Sequence, residues 1–363
     1  MSKFDVVIVG GGIAGASLAA EIAPHASVLI LESESQPGYH ATGRSAAFWS
    51  ETYGGPAIQP LTTASGAMLD AAGFLQPLGA LQIGKAEDRA RLDAFLAAFA
   101  DSGIALKEVD PQGLIPGLRA DWTIGVAEPT CAYIDVAGLH AACLATARRA
   151  GAEVVTRAEL LSATRGDGVW QIETRAGPYS ADIIVNAAGA WADAVAVRVG
   201  ATPVGITPYR RTLVQLRTDP PVPEHLPHVS SLDGSFYFKP EPGGRLWLSP
   251  HDETEVVAHD VAPEELDVAI AIDRLEHVVD WRVAAVERKW AGLRSFAPDR
   301  LPVYGYVADC PGYFWCAGQG GFGIQTAPAA AKVAAAMLLR QSPDARVAAI
   351  DPTLYSAARF TGR

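Results

Sequence analysis

The sequence predicts an α/β protein, α+β overall, in which a Rossmann-like dinucleotide-binding domain is interleaved with a second domain built on an antiparallel sheet with helices. Three observations predict it. A complete strand, glycine turn, helix and strand unit occupies Phe4 to Glu32. Two later apolar strand patterns also run into glycine turns, one at Ala187-Ala188-Gly189 and one at Gly318-Gln319-Gly320-Gly321. Between Gly205 and Ala291, short alternating runs are separated by Pro- and Gly-rich turns, the texture of an antiparallel sheet.

The first unit is the most specific. Asp5-Val6-Val7-Ile8-Val9 is a β-branched run of the kind buried in a parallel sheet. It enters Gly10-Gly11-Gly12-Ile13-Ala14-Gly15, which fits G-x-G-x-x-G, and a helical pattern follows through Ala23. Val28-Leu29-Ile30-Leu31 forms the second strand, and Glu32 closes it about 20 residues beyond the glycines. Gly10 permits the tight turn, Gly12 lets the backbone approach a pyrophosphate, and Gly15 lets helix and strand pack closely. Unpaired N–H groups and the positive end of the helix dipole attract phosphate. Glu32 is placed to accept a hydrogen bond from an adenosine ribose hydroxyl. An acid there argues against a 2′-phosphorylated cofactor and leaves NAD and FAD open.

Length and composition bound the rest. At 363 residues, two domains are expected. Hydrophobic residues make up 49% and charged residues 19%, which excludes disorder. A formal net charge of −11 argues against a nucleic-acid partner, which needs concentrated Lys and Arg. Cys131, Cys143, Cys310 and Cys316 show no zinc-type spacing, so no metal is expected. A strand starting at residue 5 leaves no room for a signal peptide, and no apolar run reaches about 18 residues, so no transmembrane segment is expected. The expected location is cytoplasmic, with peripheral attachment to the inner face of the membrane left open.

After Glu32, Gln36 to Ala47 is a loop rich in glycine and small residues; Gly43 gives turn freedom, and Arg44 and Ser45 offer donors to phosphate or a flavin edge. Residues 60–135 read as a mixed insertion. Leu61 to Leu69 is helical, Gly79 to Gly84 is a strand, and Asp88 to Ala100 is an amphipathic helix with Leu92, Phe95, Leu96 and Phe99 facing the core. Val136 to Ala150 is a helix capped by Asp135. Short strands follow at Val154-Val155, from Glu159, and at Val169 to Thr174, and Ala181 to Ala190 is a buried strand ending in small residues. Thr212 to Arg217, Ser235 to Lys239 and Leu246 to Ser249 form the antiparallel sheet, with one helix from Glu264 to Val279 laid across it. A last strand enters the third glycine loop, and an Ala-rich helix runs from Ala327 to Arg340.

The motifs Glu32, Gly43-Arg44-Ser45-Ala46-Ala47 and Tyr53-Gly54 resemble the flavin amine-oxidising superfamily of D-amino-acid oxidases and dehydrogenases, glycine oxidase and sarcosine oxidase. Within it, Pro37 to Ala47 is most similar to bacterial D-amino-acid dehydrogenases of the D-arginine dehydrogenase type, and the likeness extends through Gln325-Thr326. The resemblance implies FAD, and Phe296, standing where sarcosine oxidase relatives attach flavin through a Cys, implies that it is non-covalent. It implies that residues 1–80, 136–205 and 292–345 form the FAD-binding domain, 81–135 and 206–291 the substrate domain, and 346–363 a C-terminal extension. It places the adenine near backbone at Leu160, the cofactor near Ala46, Ala187, Ala188, Gly189 and Trp191, and the flavin against Gly320, Gly321, Gly323, Ile324, Gln325 and Thr326.

The implied reaction is oxidative deamination of a D-amino acid, hydride passing from the α-carbon to the flavin and the imino acid then hydrolysing to keto acid and ammonia. The cofactor carries that chemistry, so the protein is expected to supply binding and orientation. Carboxylate recognition calls for the planar fork of Arg. Arg211 and Arg294 match the family by position, with Arg210 as the alternative register; Tyr53 and Tyr237 match family tyrosines, and the Gly321 backbone would receive the amine. Two departures make the pocket less polar: Phe48 stands where the relative has His, and Ala80 where relatives favouring cationic substrates have Glu. Ser230 and His228 add polarity without an assigned place. Neutral, apolar D-amino acids are therefore expected, with an L-2-hydroxy acid, glycine or an N-methyl amino acid as the alternative substrate. The other expected partner is an electron acceptor: a quinone, an electron-transfer protein or oxygen. A pyridine-nucleotide reductase would need a second G-x-G-x-x-G and a redox Cys pair, neither of which is visible; a flavin-bearing binding protein is the remaining reading.

Overall fold

Val6, Val7 and Ile8 are at most 1% exposed, as a strand flanked on both sides and covered on both faces must be. In the computed structural model, which describes residues 2–360, the Ser2–Val9 strand lies between Val28–Leu31 and Gly177–Asn186, parallel to both. Glu153–Val155 and Tyr313–Ala317 extend this parallel core, while Leu160–Gly166, Val169–Thr174 and Val303–Tyr306 add antiparallel edges to complete eight strands. The helices Ile13–Ile22, Val136–Arg149 and Gly323–Leu339 supply Leu18, Ile22, Leu144, Val333 and Leu338 to the cluster on one face. Asp135 caps the second of these, its carboxylate accepting from Gly138 N.

The other large sheet has ten strands and is antiparallel except where His228–Ser231 runs parallel to Ala80–Lys85. Its spine is Thr207–Asp219 paired with Arg282–Phe296. The helix Glu265–Glu276 buries Val268, Ala271 and Leu275 against Val214, Leu216, Leu246 and Leu248. A small three-stranded sheet of Phe48–Trp49, Ala132–Ile134 and Leu75–Pro77 shares no strand pairing with either.

Several elements differ from expectation for definable reasons. Arg282–Phe296 is a 15-residue strand, of which the sequence shows only the apolar end, because residues 282–289 alternate weakly and carry Arg282, Glu287, Arg288 and Lys289. It runs unbroken through the 291–292 boundary, and its end pairs with Gln319–Gly320, so the glycine loop is hydrogen-bonded to the antiparallel sheet. The final helix starts at Gly323, four residues before Ala327, with Pro328 inside it. Of the amphipathic stripe, Leu92 and Phe99 are buried, while Phe95 and Leu96 are only half-buried. The C-terminal segment is packed: Val347, Ile350 and Tyr355 join the cofactor-side core, and Tyr355 Oη donates to Ala57 O at 2.7 Å. Residues 361–363 of that extension lie outside the described residues. No helix among the described residues is long and apolar enough to cross a membrane.

Candidate active site

Both sheets contribute to a cavity of about 470 Å³ that extends from Glu32 and Leu160 to Arg211 and Tyr237. At its dinucleotide end the glycine turn is built as the motif requires. Gly10 has φ +110, and a Cβ there would stand 2.4 Å from Ala187 O; at Gly15 it would stand 2.0 Å from Gly10 O. Side chains distant in sequence pin this turn. Glu32 Oε2 accepts from Gly11 N at 3.0 Å, Thr42 Oγ1 accepts from Ile13 N at 3.0 Å, and His140 Nε2 hydrogen-bonds Gly11 O at 2.8 Å. Sequence reasoning missed Thr42 and His140; Thr42 lies inside the loop it singled out, but a histidine on the buried face of a helix carries no signal of its own.

Gly10, Gly12, Ile13, Ala14, Glu32, Arg44, Ser45, Ala46, Leu160, Ala187, Ala188, Gly189 and Trp191 all line the cavity, as do Gly320, Gly321, Gly323, Ile324 and Gln325. Gly15, Gly43 and Thr326 do not. Gly15 seats the helix, Gly43 N donates to Gly38 O at 2.8 Å within its turn, and Thr326 Oγ1 donates back to Phe322 O at 2.8 Å. Three liners are already engaged. The Arg44 guanidinium donates to Val261 O at 2.9 Å and Ala291 O at 3.1 Å and pairs with Asp260, so it ties the loop to the Arg282–Phe296 strand and the segment before the Glu265–Glu276 helix and is not free for phosphate. Leu160 O accepts from Arg198 Nη1 at 2.6 Å. Gln325 Nε2 donates to Tyr53 O and to Thr62 Oγ1, both at 2.9 Å. The N-terminus of the Gly323–Leu339 helix has no side-chain cap, which leaves its first-turn N–H groups and positive dipole end beside the cavity.

The other end collects polar groups. Tyr209, Arg211, Gly292 and Arg294 share one face of the paired spine strands, with Arg211 opposite Gly292 and Arg294 opposite Tyr209. Alternation sends Arg210 to the other face, where it meets Asp267 at 2.8 Å and pairs with Glu264. Of the two, Arg211 lines the cavity and Arg210 does not. Arg211 is 2% exposed; its Nε donates to Asp252 O at 2.7 Å and its Nη2 to Glu253 Oε1 at 3.1 Å, but Nη1 is buried without a partner. Arg294 has no hydrogen-bond or ion-pair partner among the described residues and lies over the Tyr53 ring, 5.7 Å from its centroid. The hydroxyls of Tyr53 and Tyr237 are likewise buried and unpartnered. Burial pushes the Tyr53 phenol up, against the pull of Arg294 and Arg211, so it remains a donor at neutral pH. Gly321 leaves the space between them open, since a Cβ there would meet Tyr53 Oη at 2.5 Å and Arg294 Nη1 at 3.0 Å. Phe48 and Leu213 complete the wall. His228 stands behind Phe48, its ring 4.3 Å away, and burial pushes its imidazole down to about 3.

Known proteins resemble this chain over most of its length. Mitochondrial dimethylglycine dehydrogenase of Mus musculus is 29% identical over 399 residues, covering 97% of this chain and 44% of that protein. The chain thus spans less than half the length of the dimethylglycine dehydrogenases it matches. Glycine oxidase of Geobacillus kaustophilus (strain HTA426) is 25% identical over 381 residues, covering 99% of this chain and 98% of that one. The crystal structure of a Geobacillus kaustophilus glycine oxidase shares the fold with a TM-score of 0.83 at 24% identity over 98% of each chain. L-proline dehydrogenase from P. horikoshii does so at 0.83 and 21% over 97% of each. These relatives do not single out the D-arginine dehydrogenase type that the loop resembles. A family described as FAD dependent oxidoreductase matches residues 5–337, and this chain belongs to it.

Proposed function

We propose that this protein oxidises a small, neutral α-amino acid at its α-carbon, D-configured where the substrate is chiral. One observation carries the reading: Arg294 is the only cavity-lining guanidinium among the described residues without an ion-pair or hydrogen-bond partner, and three further unpartnered donors lie near it. A half-buried guanidinium that faces the cavity without a carboxylate partner, beside three buried donors that also lack one, favours one carboxylate from outside. The residues at the other end fit FAD, because the Gly10 turn, Glu32 and the two helix N-termini offer a pyrophosphate cradle, a ribose acceptor and N–H donors. FAD, when bound there, supplies the two-electron acceptor.

The chain's own residues bind and orient. Arg294 and Arg211 Nη1 grip the carboxylate, the Tyr53 and Tyr237 hydroxyls donate to it, and the Gly321 carbonyl accepts from the amine. Phe48, Leu213 and Ala46 face the substrate side chain and exclude water, which favours small apolar groups. No ordinary general base lines this end among the described residues, and Tyr53 is held protonated. The neutral amine must therefore be drawn from solution, and kcat/KM is expected to rise with pH until the substrate ammonium has titrated. A pH-independent kcat/KM between 6 and about 9 would count against this.

A second reading has its own support. The similarity to dimethylglycine dehydrogenase and glycine oxidase favours glycine or an N-methylated glycine as substrate. Anaerobic mixing of the purified protein with D-amino acids, glycine, N-methylglycine and L-2-hydroxy acids separates the readings: the proposal expects flavin bleaching by a small D-amino acid such as D-alanine, and the second reading expects bleaching by glycine or N-methylglycine alone. Bleaching by hydroxy acids alone would refute it, and repetition in air, read for peroxide, identifies the acceptor class.

A further inference from the structure

The Tyr53 hydroxyl has no hydrogen bond of its own, so its placement depends on the packing of its ring against Phe48 and Phe322 and on the backbone that carries it. That backbone is held by Glu128, the last residue of the Trp122–Glu128 strand, which is 4% exposed and does not line the cavity. Its carboxylate accepts from Ser50 Oγ at 2.9 Å, Glu51 N at 2.7 Å and Thr52 Oγ1 at 2.6 Å, the three residues immediately before Tyr53. Gln325 holds the same loop from the cofactor side through Tyr53 O. Glu51 points the other way, to Thr63 Oγ1 at 2.6 Å and Thr130 Oγ1 at 2.9 Å.

Stability alone does not explain this arrangement. Among the described residues Glu128 has no cationic partner, and a second carboxylate, Glu51, lies nearby. Burying an unpaired carboxylate is unfavourable, whereas a neutral side chain of similar size would fill the space at less cost. What the carboxylate provides is three acceptor directions converging from one residue, which fixes a tripeptide rigidly.

We infer that Glu128 is a positioning residue for ligand recognition: by gripping Ser50 to Thr52 it sets the backbone from which Tyr53 presents its hydroxyl to the carboxylate. This rests on the proposed carboxylate pocket. Glu128 itself touches no ligand.

Acetate is titrated into the FAD-loaded protein and its binding read from the perturbation of flavin absorption. Tyr53→Phe is expected to weaken acetate by about tenfold, the loss of one hydrogen bond to a charged group. Glu128→Gln is expected to weaken it comparably, and the double variant to bind no worse than Tyr53→Phe alone. Thr52→Val, which removes one of the three donors and keeps the acid, runs the same cycle if Glu128→Gln does not fold. Losses that multiply in the double variant, or a Glu128→Gln protein that binds acetate as the unaltered chain does, would overturn the positioning role alone. A flavin spectrum indifferent to acetate in the unaltered protein would overturn the pocket itself, and the role of Glu128 with it.

Discussion

Arg294 brings a full charge into the cavity over the face of Tyr53 with no hydrogen-bonded carboxylate among the described residues, while neighbouring Arg211 already has Glu253. Replacing Arg294 by Met should therefore remove carboxylate binding energy with little harm to the fold, lowering kcat/KM by about a hundredfold or more, mainly through KM. Steady-state kinetics against the unaltered enzyme checks this. His228 makes a different prediction. Its folded pKa is depressed to about 3 by burial first and by Lys239 second, so the unfolded chain takes up the proton first. Its contribution to stability is complete above pH 6.5 and is lost as pH falls towards about 3, at roughly 1.4 kcal/mol per pH unit. His228→Phe, which keeps the ring contact with Phe48, should flatten the acid-side fall in unfolding free energy by about that amount between pH 5.5 and 4.5; urea titrations showing an unchanged slope would contradict a buried neutral imidazole. At this scale much was legible, because Arg and Gly have chemistry few other residues share. The pins were not: Thr42, His140 and Glu128 act through distances in space that no local spacing encodes.

Among the elements, the first strand and helix carry the cofactor end. A Cβ on Gly15 would overlap Gly10 O, so Gly15→Ala must push the Ile13–Ile22 helix off its strand. The expected product is a folded protein purified with little or no flavin, checked by the absorbance ratio at the flavin and protein bands. The same logic separates the elements that could be read in sequence from those that could not. The buried parallel strands and the 323–339 helix announce themselves as apolar runs. Arg282–Phe296 does not, because its first half lies on an exposed part of the sheet and shows no clean alternation, a Val283-Ala284-Ala285-Val286 run being followed by Glu287, Arg288 and Lys289. The last helix starts earlier than its Ala-rich run for another reason: Gly323 is a poor helix former and gives no local sign of a helix start.

Across the whole molecule, a sheet with a parallel core whose first turn fits a dinucleotide shares the cavity with an antiparallel sheet that carries Arg211 and Arg294, and the third glycine loop is hydrogen-bonded to the second sheet through Gln319–Gly320. The Arg44 guanidinium joins the two by reaching Val261 O, Ala291 O and Asp260 from the cofactor loop. The central claim is that an unpaired guanidinium in this cleft anchors a substrate carboxylate against the flavin. It is tested most directly by anaerobic stopped-flow reduction with the best amino-acid substrate and with its carboxamide, in the unaltered protein and in Arg294→Met. The account predicts strong preference for the free acid in the former, about a hundredfold, and near-equal rates in the latter. Equal reduction by acid and amide in the unaltered protein, or a preference that survives the loss of Arg294, would contradict it.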